Sequence, residues 1–215
     1  MYRRMSLVTM VVAALAVLST ASVSQAVLFV DQEQTLGSNG GYDLGGSNTH
    51  VAQGFVPSVN TIWGVMLNLH NVTNPGNFDV GIYNVVDPAG DGTQQDDNEP
   101  TGAALVSVTV HTSTINPDSV LNEEILFTSP LALTPGNRYA IQITQTGGAG
   151  GFPTFSIFRE QATNNYGPGD FVRQQGGSWS HFANNDLTFQ TLWFPEPASL
   201  ALLGLGGLMM IRRRR

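Results

Sequence analysis

The chain has 215 residues, no cysteine and no lysine, and a formal charge of −7. A domain without cysteine must hold together by core packing, which excludes a small disulfide-stapled scaffold, a thiolate zinc site and a cysteine nucleophile. The charge is uneven: residues 27–194 carry three arginines (Arg138, Arg159, Arg173) against 15 carboxylates, while the other six arginines lie in the two end segments. A body this acidic repels nucleic acid and anionic lipid, both of which need clustered cations to neutralise phosphate.

The first elements in chain order form a secretory signal. Arg3 and Arg4 precede an apolar run from Leu7 to Leu18, and small residues lead to Ser24, Gln25 and Ala26, so cleavage is expected after Ala26. The apolar run would cover roughly 18 Å as a helix against a hydrocarbon core of about 30 Å, too little for a permanent anchor.

Residues 27–193 read as one β domain. Short segments alternate with period two between turn signals. In "RYAIQITQT" Tyr139, Ile141 and Ile143 fall on one face and Ala140, Gln142 and Thr144 on the other, and "FDVGIYNVV" places Phe78, Val80 and Ile82 together. Further strands are predicted at "IWGVMLNL", "ALVSVTV", "EILFT", "TFSIF" and "LTFQTLWF", with weaker ones near Val27 and Val51. Stretches such as "GSNGGYDLGGSN", "DPAGDGTQQDDNEPTG", "TPGN" and "NNYGPGD" separate them, rich in the residues that set turn geometry. No segment of the body has a convincing helical period. About nine strands with no intervening helices predict an antiparallel two-sheet sandwich of jelly-roll type, with the strand order left open.

Motifs for enzymatic chemistry are missing. There is no nucleophile elbow and no H-E-x-x-H pair, and "GGAGG" at 147–151 lacks the lysine of a phosphate loop, so it reads as a hairpin loop. His50, His70, His111 and His181 are scattered; isolated strand-edge histidines fit them better than a shared metal. Glu123 and Glu124 are adjacent, so on a strand they face opposite ways and cannot act as a paired acid and base. The loop carrying Asp87, Asp91, Asp96, Asp97 and Glu99 has enough oxygen donors for calcium, but not the spacing of an EF-hand. Solvated loop carboxylates are the plainer reading of it.

Residues 164–186 offer a different chemistry. Tyr166, Phe171, Trp179 and His181 lie beside Arg173 and Gln174, the mix of stacking rings and hydrogen-bonding groups that a sugar site uses. The same inventory fits a meander in which Trp179 and Phe171 are core residues and the amides occupy turns.

The last element is "FPEPASLALLGLGGLMMIRRRR". From Ala198 to Ile211 it is apolar or small, roughly 21 Å as a helix, and Arg212 to Arg215 would stay cytoplasmic by the positive-inside rule. Pro195 and Pro197 flank Glu196 and keep that segment extended, a suitable shape for a protease. Pro195-Glu196-Pro197, a short apolar helix with glycines, and the arginine cluster Arg212, Arg213, Arg214, Arg215 together resemble the PEP-CTERM sorting signal of Gram-negative and related environmental bacteria. The resemblance covers about 22 residues. It implies an exosortase-type membrane cysteine protease as partner, transient residence at the inner membrane, and a link to exopolysaccharide and biofilm production.

The body carries a fainter resemblance. Phe55-Val56-Pro57, "IWGVMLNL", "DVGIYN", "PTGAALVSVTV", "LALTPGNRYAIQI", "GGSW" and "DLTFQTLWF" are similar to jelly-roll modules of bacterial surface proteins with alternative C-terminal anchors. Those modules have no established catalytic residues to carry over. The expectation is an exported, non-catalytic surface or matrix protein with no cofactor beyond the calcium that the acidic loop could take. A lectin-like module using residues 164–186 is the alternative, and an exported hydrolase with scattered carboxylates stands third.

Overall fold

The computed structural model describes residues 27–35, 41–44, 48–70, 76–87, 97–115, 123–148, 156–161, 166–182 and 185–194. The predicted signal segment before residue 27 and the predicted sorting motif after residue 194 lie outside them. The strands are β1 (Phe29–Gln34), β2 (Gly41–Asp43), β3 (Asn48–Phe55), β4 (Thr61–Leu67), β5 (Leu69–His70), β6 (Gly76–Val85) and β7 (Pro100–His111). They continue as β8 (Glu123–Ala132), β9 (Tyr139–Gly148), β10 (Ser156–Gln161), β11 (Phe171–Gln175), β12 (Ser178–Phe182), β13 (Asn185–Leu187) and β14 (Phe189–Trp193). One 3-10 turn, Thr112–Thr114, is the only helical element among the described residues.

The molecule is an all-β sandwich of two antiparallel sheets. The larger runs β12-β11-β3-β9-β6-β7 and the smaller β1-β14-β4-β8, while β10 pairs with β2, β5 and β13 in a short side sheet. The chain crosses between the two main sheets from β3 to β4, from β7 to β8 and from β8 to β9, an order that periodicity alone cannot supply. Leu28–Pro195 forms one compact unit.

Period-two alternation builds the core. Val51 and Phe55 of β3, Phe78, Val80 and Ile82 of β6, and Ile141 and Ile143 of β9 point inward and are fully buried. Ile62, Val65 and Leu67 of β4 and Phe189 of β14 meet them from the other sheet. Each such side chain contributes about 1.5–3 kcal/mol on burial, and their number offsets the absence of cross-links.

Polar groups inside this core are bonded to one another. Gln53, fully buried on β3, donates from Nε2 to Asp186 Oδ1 at 2.9 Å and accepts from the Leu187 N–H at 2.8 Å. The Tyr166 N–H donates to Asp186 Oδ2 at 2.8 Å, and the Tyr166 hydroxyl donates to Gln32 Oε1 at 2.7 Å. The Gln32 N–H donates in turn to Thr191 Oγ1 at 3.0 Å. One continuous polar chain therefore joins β1, β3, β13, β14 and the segment before β11.

A second fastening holds the 97–99 turn against the larger sheet. Asn98 is fully buried, and its Oδ1 accepts from the Asp170 N–H at 3.0 Å. Gly54 leaves room for it: a Cβ there would stand 1.8 Å from Asn98 Oδ1. Gly54→Ala should therefore destabilise the fold by roughly 1–3 kcal/mol, the usual cost of overpacking. Gln53→Leu removes one donor from the buried Asp186 carboxylate and should cost about 3 kcal/mol. Urea unfolding checks both: the midpoint should fall while the slope stays constant, and an unchanged midpoint for either variant would contradict its assignment.

Candidate functional site

β11 and β12 form a hairpin closed by Gly176 and Gly177, whose φ values of 60° and 88° lie in the left-handed region that glycine tolerates. Across it Phe171 pairs with Phe182, Val172 with His181, Arg173 with Ser180, and Gln174 with Trp179. Alternation along these two strands divides the predicted sugar-binding residues between opposite faces.

Phe171 is fully buried in the core with its ring 5.8 Å from that of Phe182. Tyr166 is 9% exposed, packs edge-on against Phe189 at 5.2 Å, and spends its hydroxyl on Gln32. Neither ring is presented to a ligand, which corrects the sequence-based expectation for both. Arg173 shares the inward register of Phe171, and its guanidinium lies 4.6 Å from the centre of the Phe182 ring. Gln174, Trp179 and His181 occupy the other, outward face, where His181 Nε2 stands 3.2 Å from Asp170 Oδ2.

On that outer face the register lines up one residue per strand. Trp179 pairs with Gln174, Gln174 with His50, His50 with Thr144, Thr144 with Asp79, and Asp79 with Thr109. Five strand intervals of about 4.8 Å make this row roughly 24 Å long. The next row reads His181, Val172, Ala52, Gln142, Gly81 and Ser107 in the same order.

The side chains of the two rows hold one another in place. Trp179 packs against the small buried cluster of Ala52, Val85, Ala140 and Val172. The His50 ring meets it at 6.3 Å, nearly edge-on, with Thr49 Oγ1 2.7 Å from His50 Nδ1. Gln142 Nε2 donates to Thr144 Oγ1 at 2.8 Å, and Thr109 Oγ1 donates to Asp79 Oδ1 at 2.5 Å. The Tyr83 ring reaches over Gly81, where a Cβ would come 3.0 Å from its Cε2. Burial lowers the His50 pKa, so the imidazole is neutral at neutral pH. Burial, and then the Asp79 charge, raise that of the Tyr83 phenol, which remains a hydrogen-bond donor.

His50, Gln142, Thr144, Asp79, Tyr83 and Thr109 were not marked as site residues by sequence reasoning. The available signal was weak: they are the polar half of predicted strands, far apart in the chain.

The acidic loop is only partly described. Asp91 and Asp96 lie outside the described residues. Asp97 is buried, and its Oδ2 accepts from Arg138 Nη1 at 3.2 Å. That ion pair engages one oxygen of Asp97, which belongs to the predicted calcium set with Asp87, Asp91 and Asp96. Among the described residues no group of three or more His, Asp or Glu side chains is placed to hold a metal ion, and His111 Nδ1 serves the 3-10 turn by accepting from the Ser113 N–H at 3.1 Å. No described helix is long and apolar enough to cross a membrane.

No family model matches the chain, and no curated protein sequence does. Among solved structures it is similar to the cysteine protease and lectin-like domains of Cwp84, a surface layer associated protein of Clostridium difficile. The identity is 13% and the TM-score 0.48, over 79% of this chain and 36% of that one, so this chain spans about a third of that structure. A likeness this distant assigns no residue a role here. The present chain has no cysteine and cannot carry cysteine-protease chemistry.

The Tyr166 phenol is pushed up to about 12, chiefly by burial, from an ordinary value of 10.0. Between those values the unfolded chain has lost a proton that the folded one keeps, so stability falls as pH rises through this window. At about 1.4 kcal/mol per unit, on the order of 2–3 kcal/mol disappears between pH 10 and 12. Tyr166→Phe should lose less stability than the parent when denaturant unfolding at pH 8 and pH 11 is compared. Equal losses would place the titrating group elsewhere.

Proposed function

We propose that the chain is an exported, non-catalytic protein of the cell surface or extracellular matrix with an adhesive role. Its routing rests on the tail: Pro195-Glu196-Pro197 is the segment an exosortase-type membrane protease would read, and Arg212 to Arg215 hold the precursor at the inner membrane until cleavage. The observation that carries the adhesive role is the spread of hydrogen-bonding groups over six strands of one sheet face. Acid, base or nucleophilic catalysis needs groups converging within hydrogen-bond reach of one reacting atom, whereas a surface that grips a polymer needs them distributed.

A lectin-like reading is favoured by one further observation. Three members of the predicted sugar-binding set, Gln174, Trp179 and His181, share the outer face, and Trp179 is fixed there against a small apolar cluster. Polysaccharide is then the adhesive partner, with nucleic acid disfavoured by the acidic body.

Glu196→Ala, and separately replacement of Arg212 to Arg215 by glutamine, should leave a full-length precursor in the inner-membrane fraction. Cell fractionation with immunoblotting reads this directly, and normal processing of both variants would remove the sorting proposal.

A further inference from the structure

We infer that the outer-face row from Trp179 to Thr109 is the binding surface for an uncharged polysaccharide laid across the strands of the larger sheet. This rests on the lectin-like reading and moves its site from the 164–186 segment to a surface drawn from six strands. The first support is the repeat. Trp179, Gln174, His50, Thr144, Asp79 and Thr109 stand one per strand in a single register. A row roughly 24 Å long with a polar group about every 4.8 Å suits a linear polymer better than one small molecule. The donor and acceptor types alternate between amide, imidazole, hydroxyl and carboxylate. Sugar hydroxyls both donate and accept, so they match such a mixture.

The second support is that the groups are pre-oriented. Gln142 is bonded to Thr144, Thr109 to Asp79, and His50 lies against both Thr49 and Trp179. Fixing side chains before binding lowers the entropic cost of holding a flexible polymer. The third is the placing of two aromatic rings. Trp179 on β12 and Tyr83 on β6 are separated by four strand intervals, about 19 Å. Each ring lies over a small residue of the second row, Trp179 against Ala52 and Tyr83 over Gly81, which holds it on the outer face. Aromatic faces stack on the apolar C–H faces of sugar rings and add about 0.5–1.5 kcal/mol per contact.

Charge selects the class of polymer. The body holds three arginines against 15 carboxylates, and Asp79 sits within the row itself. A uronate or sulfated chain would be repelled, and an uncharged one would not. A peptide partner is disfavoured by geometry, because strand addition uses a free sheet edge and this row lies on a face.

The test is affinity gel electrophoresis of the purified chain through gels containing dextran, mannan, a soluble β-glucan or, as the anionic probe, polygalacturonate. Retardation is expected from at least one neutral polymer and not from polygalacturonate. Trp179→Ala should weaken it about tenfold, Trp179→Phe should restore most of it, and Asp79→Asn should weaken it with thermal unfolding unchanged. Arg173→Gln, on the opposite face, should leave it intact. Neutral-polymer retardation that survives both Trp179→Ala and Asp79→Asn would overturn the row while sparing the lectin-like reading. Retardation by polygalacturonate alone would overturn the polymer class, and none in any gel would overturn both inferences.

Discussion

The hydrogen bond from buried Gln53 to buried Asp186 sets the arrangement on which the rest of the sandwich depends. A carboxylate inside an apolar core is tolerated only when its lone pairs are occupied. Gln53 Nε2 and the Tyr166 N–H occupy two of its positions, and the chain of bonds continues through the Tyr166 hydroxyl to Gln32 and Thr191. These groups come from strands far apart in sequence, so the network can be completed in one register only. A slip of one residue in β3 would turn Gln53 outward and take Val51 and Phe55 out of the core with it.

That register also decides what the outer face presents. With Gln53 turned inward, His50 and Ala52 must point outward, and their partners Gln174, Val172, Thr144 and Gln142 follow by pairing. The polar row and the second row beside it are thus consequences of the same alternation that fills the core. Gly54 and Gly169 complete the arrangement by letting the 97–99 turn and the segment before β11 approach β3 closely, since a Cβ on Gly169 would come 2.3 Å from the Gly54 carbonyl oxygen. The turn is held further by the Arg138–Asp97 ion pair. One of the body's few cations is therefore committed to structure.

Much of the fold was legible in the sequence, and less of the site. The β9 pattern in "RYAIQITQT" and the β6 pattern in "FDVGIYNVV" appear as read, because burial on one face imposes period two wherever a sheet covers a core. The β11–β12 hairpin carries a readable signal too, two glycines between alternating segments. The hairpin register pairs Phe171 with Phe182 and Trp179 with Gln174, so two residues close in the chain, both at odd positions, fall on opposite faces of the sheet. Composition likewise counts the carboxylates of the 87–99 loop without showing that Asp97 is the one that meets Arg138.

By itself the sequence determined the strand-rich class, the acidic body without cysteine, and the resemblance of "FPEPASLALLGLGGLMMIRRRR" to a sorting signal. These depend on composition and local period, which need no long-range contact to be read. Only the tertiary structure decided the strand order, the burial of Gln53 with Asp186, and the alignment of Trp179, Gln174, His50, Thr144, Asp79 and Thr109 in one row. Those features depend on which distant strands pair and in what register, and that is fixed by the joint burial of groups from both sheets.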